Sequence, residues 1–428
     1  MNLVDAAAAA PGSPASAASP VHFLGDHRAY WRLLIRGAAL LAATLGIYRF
    51  WFVTDQRRFL WSNTEISDVT LEYTGTAFEL LVGFLIAIAL LVPLYVGFFV
   101  VALNLGPIGQ LAGVLGFPVL AFLGHFAVYR ARRYRLTRTI YRGVRCHQSG
   151  SAWRYAVYAL FWWTLIVLTL GLAYPFAQGR LERFKMRHTF YGNLSGRFDG
   201  SGLRLFLHGL PMWLLVVGPL AFALAFALAT VEWDKVVEAA AGAGSGSEFA
   251  NQLETAFPNV YAAVVVAIAA VCVSVVMAAV LFPVFQAMML RWWLSGLRFG
   301  KLTIRSHLRT GQIYGAYLRF LWYGLLFLLA AGVGGGLAFV VVGVMLAALG
   351  NSEFVEIIGA IAGVGFYVAI MLGLSTIYQG TVKFSLWRSG VESIELEGLS
   401  ALDHVKAAGT PSSAVGEGLA DALNVGGF

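Results

Sequence analysis

The chain has 428 residues, 59% of them hydrophobic and only 12% charged. An ordinary soluble domain is about half apolar and about a quarter charged, so this composition excludes one and makes membrane insertion the first reading. The formal charge is +8, but the basic residues stand in loops beside apolar spans. The positive-inside rule accounts for them there, and no nucleic-acid partner is needed.

Residues 1–20 are mostly Ala, Pro, Ser and Gly and predict a disordered tail. A short strand is expected at Val21–Gly25. A helix begins near Tyr30, amphipathic through Arg32 and Arg36 and apolar from Gly37 to Val53. Beyond Arg57, Arg58 and Asn63-Thr64, apolar Val69, Leu71 and Tyr73 alternate with polar residues, the period of a strand. Apolar helices follow at 77–102 and 108–129, each near the roughly 20 residues needed to cross a bilayer. Arg130 to Arg154 contains eight arginines and no acid. An apolar stretch at 153–176 then runs into a basic helix, and spans at 205–230 and 260–286 come next. Between those two, 231–258 holds five acids against Lys235 alone. After a basic loop from Arg291 to Arg309, spans are expected at 317–348 and 357–380, with Glu353 and Glu356 between them. The chain beyond Leu399 is polar and predicts a fraying tail. Strands are expected at 69–74, 301–305 and 392–396.

A basic-aromatic pair recurs after the apolar helices. Arg58-Phe59 precedes Asn63-Thr64, Arg133-Tyr134 precedes Arg138-Thr139, and Arg183-Phe184 precedes His188-Thr189, all at one spacing. Arg291-Trp292 and Lys383-Phe384 keep the pair. Duplication explains the shared offsets better than coincidence, although such pairs are common at interfaces. The expected organisation is a tail over 1–20, a membrane repeat over 21–152, a second over 153–314, a partial third over 315–399, and a flexible C-terminal tail over 400–428. The first repeat holds a break segment at 30–62, and the second holds one at 153–190.

The charges also constrain topology. If 153–176 crossed the membrane once, the Arg-rich loops at 130–154 and 180–204 would lie on opposite faces, against the rule. The simpler solution is a segment that enters and returns on one side, turning at Gly171 to Pro175 around Tyr174. Segment 30–62 would do the same around Gly46 and Tyr48. The alternative is a plain spanning helix with an imperfect charge balance. The fold class expected is an all-α polytopic membrane protein with internal repeats, re-entrant or interfacial helices and short cytoplasmic β-strands. The C-terminus is expected in the cytoplasm.

These residues resemble a known family. Thr44-Leu45-Gly46-Ile47-Tyr48, Phe50-Trp51, Arg57-Arg58-Phe59, Asn63-Thr64 and Tyr73-Thr74-Gly75 are similar to the signature of the YjgN family of bacterial multipass inner-membrane proteins. Thr169-Leu170-Gly171 with Tyr174-Pro175-Phe176 matches as a second copy, and the likeness covers roughly 21–400. It implies an inner-membrane location and brings no substrate or catalytic residue, because that family's domain is of unknown function. Phe50 stands where the second copy has Pro175, so the first break is expected to be the softer.

Arg180, Arg183 and Arg187 lie about one turn apart ahead of His188 and Thr189. With Arg58, Asn63, Arg133 and Arg138 at matching places, they are candidates to hold an anionic group. The plainer readings are contact with anionic lipid headgroups, or helix termination. His125, Gln110, Gln286 and Gln379 are polar groups in or near apolar spans that line a pathway or bond a neighbouring helix. The glycines at 332–336 serve close packing or unwinding. No Walker loop, nucleophile elbow or metal-ligand spacing is present in the sequence, and Cys146 and Cys272 suggest no disulfide. No cofactor, metal or nucleic acid is expected; lipid is the expected partner. Two readings follow: a channel or transporter built from repeats, or a non-transporting envelope protein that binds anionic lipid or partner proteins through a basic face.

Overall fold

The computed structural model describes residues 19–104, 106–242, 257–347 and 352–425. The tail expected over 1–20 thus lies outside the described residues up to 18, as does half of the acidic connection, from 243 to 256.

The chain alternates helical hairpins with strand pairs. Strand β1 (Ser19–Phe23) leads into α1 (His27–Ala43), which returns as α2 (Arg49–Ser62) to β2 (Thr64–Ile66). Strands β3 (Val69–Thr70) and β4 (Glu72–Tyr73) lead into α3 (Ala77–Asn104), which returns as α4 (Pro107–Thr137) to β5 (Thr139–Tyr141). Strand β6 (Val144–Gln148) leads into α5 (Ala152–Leu168), returning as α6 (Tyr174–Arg187) to β7 (Thr189–Tyr191). From β8 (Leu194–Phe198) run α7 (Gly202–Thr230), a short α8 (Trp233–Gly242) and α9 (Pro258–Gly296), ending at β9 (Leu297–Phe299). Strand β10 (Leu302–Ser306) opens the last hairpin, α10 (Thr310–Ala347) with α11 (Ser352–Tyr378). Helix α11 continues through a π-helical turn, Gln379–Lys383, into α12 (Phe384–Glu392) and β11 (Ile394–Glu397). A final helix, α13 (Val415–Ala422), lies near the end of the chain.

The strands form one antiparallel sheet in the order β3-β2-β1-β11-β10-β9-β8-β7-β6-β5-β4. Its two ends, β3 and β4, are separated in the chain by Leu71 alone, so the chain itself closes the sheet into a ring at two short end strands. Every helical hairpin leaves one strand and returns to that strand's neighbour. For α5 and α6 those strands are β6 and β7, paired as Cys146↔Tyr191. The N- and C-terminal strands β1 and β11 pair with each other (Ser19↔Leu396) and complete the circle.

Local chemistry sets the boundaries. Asp26, Ser151 and Ser201 cap α1, α5 and α7 by accepting backbone N–H bonds from the first helical turn. Thr76 and Glu79 exchange bonds as a capping box for α3. The turn between β2 and β3 has positive φ at Ser67 and Asp68, and that between β5 and β6 at Arg142 and Gly143, the mirror-image turns that match strand twist. One core joins the first and last parts of the chain: Val21, Tyr30, Leu34 and Leu60 pack with Phe384 and Leu396, and the Tyr30 ring stacks on Phe384 at 4.8 Å between centroids.

The strands expected at 69–74, 301–305 and 392–396 are present as β3–β4, β10 and β11. Among the described residues, five helices are long and apolar enough to cross a membrane, within 77–103, 202–230, 258–296, 310–344 and 356–392. At most 11% of their most apolar windows is buried. The expected span at 108–129 lies within α4. The break expected at Gly171 to Pro175 is present two residues earlier: α5 ends at Leu168, and Thr169–Ala173 form a turn before α6. Two expectations are corrected. Pro175 sits in the first turn of α6, where a missing N–H costs no bond. That is why the break at 44–48 is no softer with Phe50 in the matching place. The flexible tail expected over 400–428 instead contains α13, whose small residues let it dock where a polar sequence suggested fraying: the backbones of Gly418 and Gly83 touch.

Candidate functional site

The candidate anion-binding arginines divide into two groups. Arg58, Arg133 and Arg183 each donate to a backbone carbonyl seventeen residues on, those of Gly75, Gly150 and Gly200. Each carbonyl lies just before the cap of the next helix, so these three side chains tie a helix to the end of its strand pair. Asn63 Nδ2 donates to the Phe59 carbonyl, and His188 Nδ1 lies 2.8 Å from the Phe184 carbonyl. Thr189 donates to Lys185, as Thr64 does to Leu60, and Arg138 pairs with Glu79. All these bonds end helices or anchor them. Arg180 and Arg187 are exposed.

The break residues form two matching turns. Leu45 and Gly46 have φ of 50° and 94°, and Leu170 and Gly171 have 49° and 92°. A 6→1 bond closes each turn, from Gly46 N–H to Leu41 and from Gly171 N–H to Ile166. Thr44 and Thr169 donate to the carbonyls of Leu40 and Leu165 and accept the N–H groups of Tyr48 and Ala173. The remaining Leu170 carbonyl accepts from Trp213 Nε1 of α7 at 2.8 Å, so these bonds come from protein and not from a wet cavity.

Charge gathers inside the circle of helices instead. Arg57, Arg132 and Glu182 occupy one position on α2, α4 and α6, each seven residues before Thr64, Thr139 and Thr189. One turn further on stand Leu60, Arg135 and Lys185. Arg57 is 4% exposed, pairs with Glu417 of α13, and donates to Tyr73 Oη at 3.1 Å. Arg135 Nε lies 3.8 Å from the other Glu417 oxygen, and Arg49 pairs with Asp421 one turn along α13. Glu182 pairs with Lys185 and accepts from Trp293 Nε1 at 3.2 Å; Arg132 acts on it electrostatically. Burial pushes the Asp421 carboxyl up from the usual carboxylate range, and Arg49 pulls it down.

The π-helical turn matters here. It breaks the register of the long α11–α12 rod and turns Gln379 and Lys383 inward. Gln56 Nε2 donates to Gln379 Oε1 at 2.6 Å. Two cavities share Lys383. One of about 190 Å³ is lined by Arg49, Gln56, Arg57, Gln379, Glu417 and Asp421. The other, of about 390 Å³, is lined by Gln178, Glu182, Gln286, Trp293 and Trp387. Their walls come from α2, α6, α9, α12 and α13. Helix α6 is not the ring neighbour of α2, α9 or α12, so such a cavity lies in the interior.

Of the polar span residues, Gln286 accepts from Tyr317 Oη at 3.0 Å and also lines the second cavity. His125 stacks against Trp163 with centroids 5.9 Å apart, and the side chain of Gln110 lies outside the described residues. Helix α10 runs unbroken through Gly332–Gly336, and Gly335 packs under Phe366, as close packing requires. The sequence reading missed Glu417, Asp421 and Glu182. The available signal was the i, i+4 acid pair Glu417/Asp421 interleaved with Gly416, Gly418 and Ala420.

Among the described residues no cluster of His, Cys, Asp or Glu has metal-site geometry. Long apolar helices, exposed to the outside and surrounding a charged interior, define a membrane protein. A family model described as bacterial protein of unknown function (DUF898) matches residues 18–422, and the chain belongs to that family, which is the YjgN family. No curated protein and no solved structure matches it.

Proposed function

We propose that the chain is a multipass inner-membrane protein, built by internal duplication, whose central chamber conducts a small anion. The observation that supports it most is the chamber: Arg49, Arg57 and Lys383 line its cavities, and Arg132, Arg135 and Lys185 are buried behind them, inside helices whose outer surface is apolar. Charged side chains are costly at membrane depth, so their gathering around a cavity is the usual mark of a pathway. Duplication rests on one constant offset of 125 residues: α1 and α5 start at 27 and 152, α2 and α6 at 49 and 174, and α3 and α7 at 77 and 202.

The β-ring belongs at the cytoplasmic face, because Arg138, Arg142, Arg145, Arg187 and Arg298 lie in or beside it. Glu232, Asp234 and Glu238 lie at the far ends of the long hairpins. Helix α1 has 17 residues, about 25 Å at the usual helical rise. That is short of the roughly 30 Å hydrocarbon core. With both ends on neighbouring strands and tips bearing exposed Leu45, Ile47 and Leu170, the hairpins α1–α2 and α5–α6 read as re-entrant.

The test is flux. Purified protein in liposomes should take up inorganic phosphate or chloride, and Arg57→Gln with Lys383→Gln should cut the rate at least tenfold. No flux of either anion above empty liposomes sinks the transport reading. A second reading, a scaffold that holds anionic lipid, is favoured by exposed Arg180 and Arg187 on α6. It predicts co-purifying anionic lipid that Arg180→Ala with Arg187→Ala releases, with no flux.

A further inference from the structure

Helix α13 is an unusual occupant of this chamber. It has eight residues, too few to hold helical shape by itself in water. Its own docking therefore maintains it. The docking face is made of small residues, Gly416, Gly418 and Ala420, with Leu419 set into a patch of Ala87, Leu91, Ala127 and Ala131. The segment before it, 406–411, has no regular structure and is exposed. Its two acids point at cations on other elements: Glu417 at buried Arg57, and Asp421 at Arg49, whose side chain is 42% exposed. Arg57, on α2, is held in place by Tyr73 independently of α13, and its Nε has no partner. The second Asp421 oxygen, Oδ2, is likewise unpartnered. A cavity of about 190 Å³ adjoins both acids.

We propose that α13 is a displaceable internal ligand: its Glu417 and Asp421 carboxylates occupy the site where Arg49, Arg57 and Arg135 bind a phosphate-class anion, and the anion competes with the helix for that site. The inference deepens the anion-chamber reading above and rests on it. The chemistry is exchange of like for like. Buried guanidinium groups require an anionic partner, and phosphate offers the same fork of oxygens as a carboxylate. A buried ion pair adds little net stability compared with apolar packing, so exchanging one anion for another costs little at the ion pairs themselves, and the bound anion has to offset the contacts of Leu419 with Ala87, Leu91, Ala127 and Ala131. When α13 leaves, the cavity gains its volume and opens toward Gln379 and Lys383.

The experiment reads the helix directly. Ala420 is fully buried, and Ala420→Cys is a small change. In full-length protein with Cys146→Ser and Cys272→Ser, the rate at which a thiol reagent modifies that cysteine reports withdrawal of α13. Inorganic phosphate at millimolar concentration, in lipid-free detergent, should raise the rate at least tenfold. Adding Arg57→Gln should abolish the response. Glu417→Gln with Asp421→Asn should raise the rate without phosphate; Asp421→Asn alone serves if the double variant does not run as a monodisperse species. If phosphate is silent but phosphatidylglycerol nanodiscs raise the rate relative to neutral ones, the anion is a lipid headgroup and the proposal stands on that source. A rate indifferent to both probes overturns it. Modification that responds to phosphate in a protein with no flux keeps the plug and discards conduction. Flux with an unresponsive cysteine does the reverse.

Discussion

Three arginines at matched positions do the same structural task, and that separates them from the arginines of the chamber. Arg183 donates to the Gly200 carbonyl at 2.9 Å, and Arg58 to that of Gly75 at 3.1 Å. A charged donor on an otherwise unpaired carbonyl contributes about 1.5–3 kcal/mol. Arg183→Ala should therefore lower the midpoint of thermal unfolding in detergent, while Arg180→Ala, on an exposed site, should leave it within about 0.5 kcal/mol of wild type. Equal effects from the two would show that the carbonyl bond is not what matters. Sequence spacing aligned these arginines but could not reveal their acceptor, because the carbonyl belongs to the next helix's approach. Cys146 is a second residue whose setting decides its behaviour. Burial pushes its thiol up to about 12, so it stays protonated at neutral pH. In the folded protein a thiol reagent at pH 8 should modify the half-buried Cys146 slowly, and denaturant should speed the reaction; labelling as fast in the native as in the denatured protein would contradict this setting.

Among the elements, the paired turns at 44–48 and 169–173 show how a chain reverses without help from solvent. A left-handed leucine and glycine turn the backbone, and one threonine hydroxyl serves a carbonyl behind and an amide ahead. Gly171 is at φ 92°, where a β-branched residue is strained. Gly171→Val should destabilise the protein by about 1–2 kcal/mol. Gly332→Ala, which meets open space inside a helix, should be neutral or slightly stabilising. The comparison is made by thermal unfolding of both variants, and an indifferent Gly171→Val would mean the turn is not the constraint. The break itself was legible in the sequence, from Gly46, Gly171 and the recurring motif. Its self-sufficiency was not, since Thr44 and Thr169 look like ordinary polar residues in an apolar run.

For the whole molecule, closure of the strand ring fixes which loops share a side. Ser149, beside β6, and Ser400, beyond β11, are both exposed at the ring. Cysteines introduced singly at these two positions, with the native cysteines removed, should both resist a membrane-impermeant thiol reagent in intact cells. A cysteine at Asp234, on α8, should react. Labelling at only one of the ring positions would break the arrangement, and labelling at both would place the ring outside. The ring also gives the N- and C-terminal strands a common duty. Deleting Ser19–Phe23 unpairs β2 and β11 together and should destabilise the protein far more than any single surface substitution.

The sequence by itself determined the helical spans and four of the strand stretches, but not β5–β9 or helix α13. Apolar runs of membrane length, basic-aromatic junctions at one spacing, alternating strands and two glycine breaks are all consequences of local periodicity, and local periodicity survives in the tertiary structure. Membership of the YjgN family was readable from the same short motifs. What only the tertiary structure decided is what meets at the centre. Glu417 is 360 residues from Arg57, and Gln379 is 323 from Gln56. No spacing rule links groups so far apart. Their meeting depends on the ring bringing all the helical hairpins back to one circle, which makes distant segments neighbours and sets their charged faces against one another.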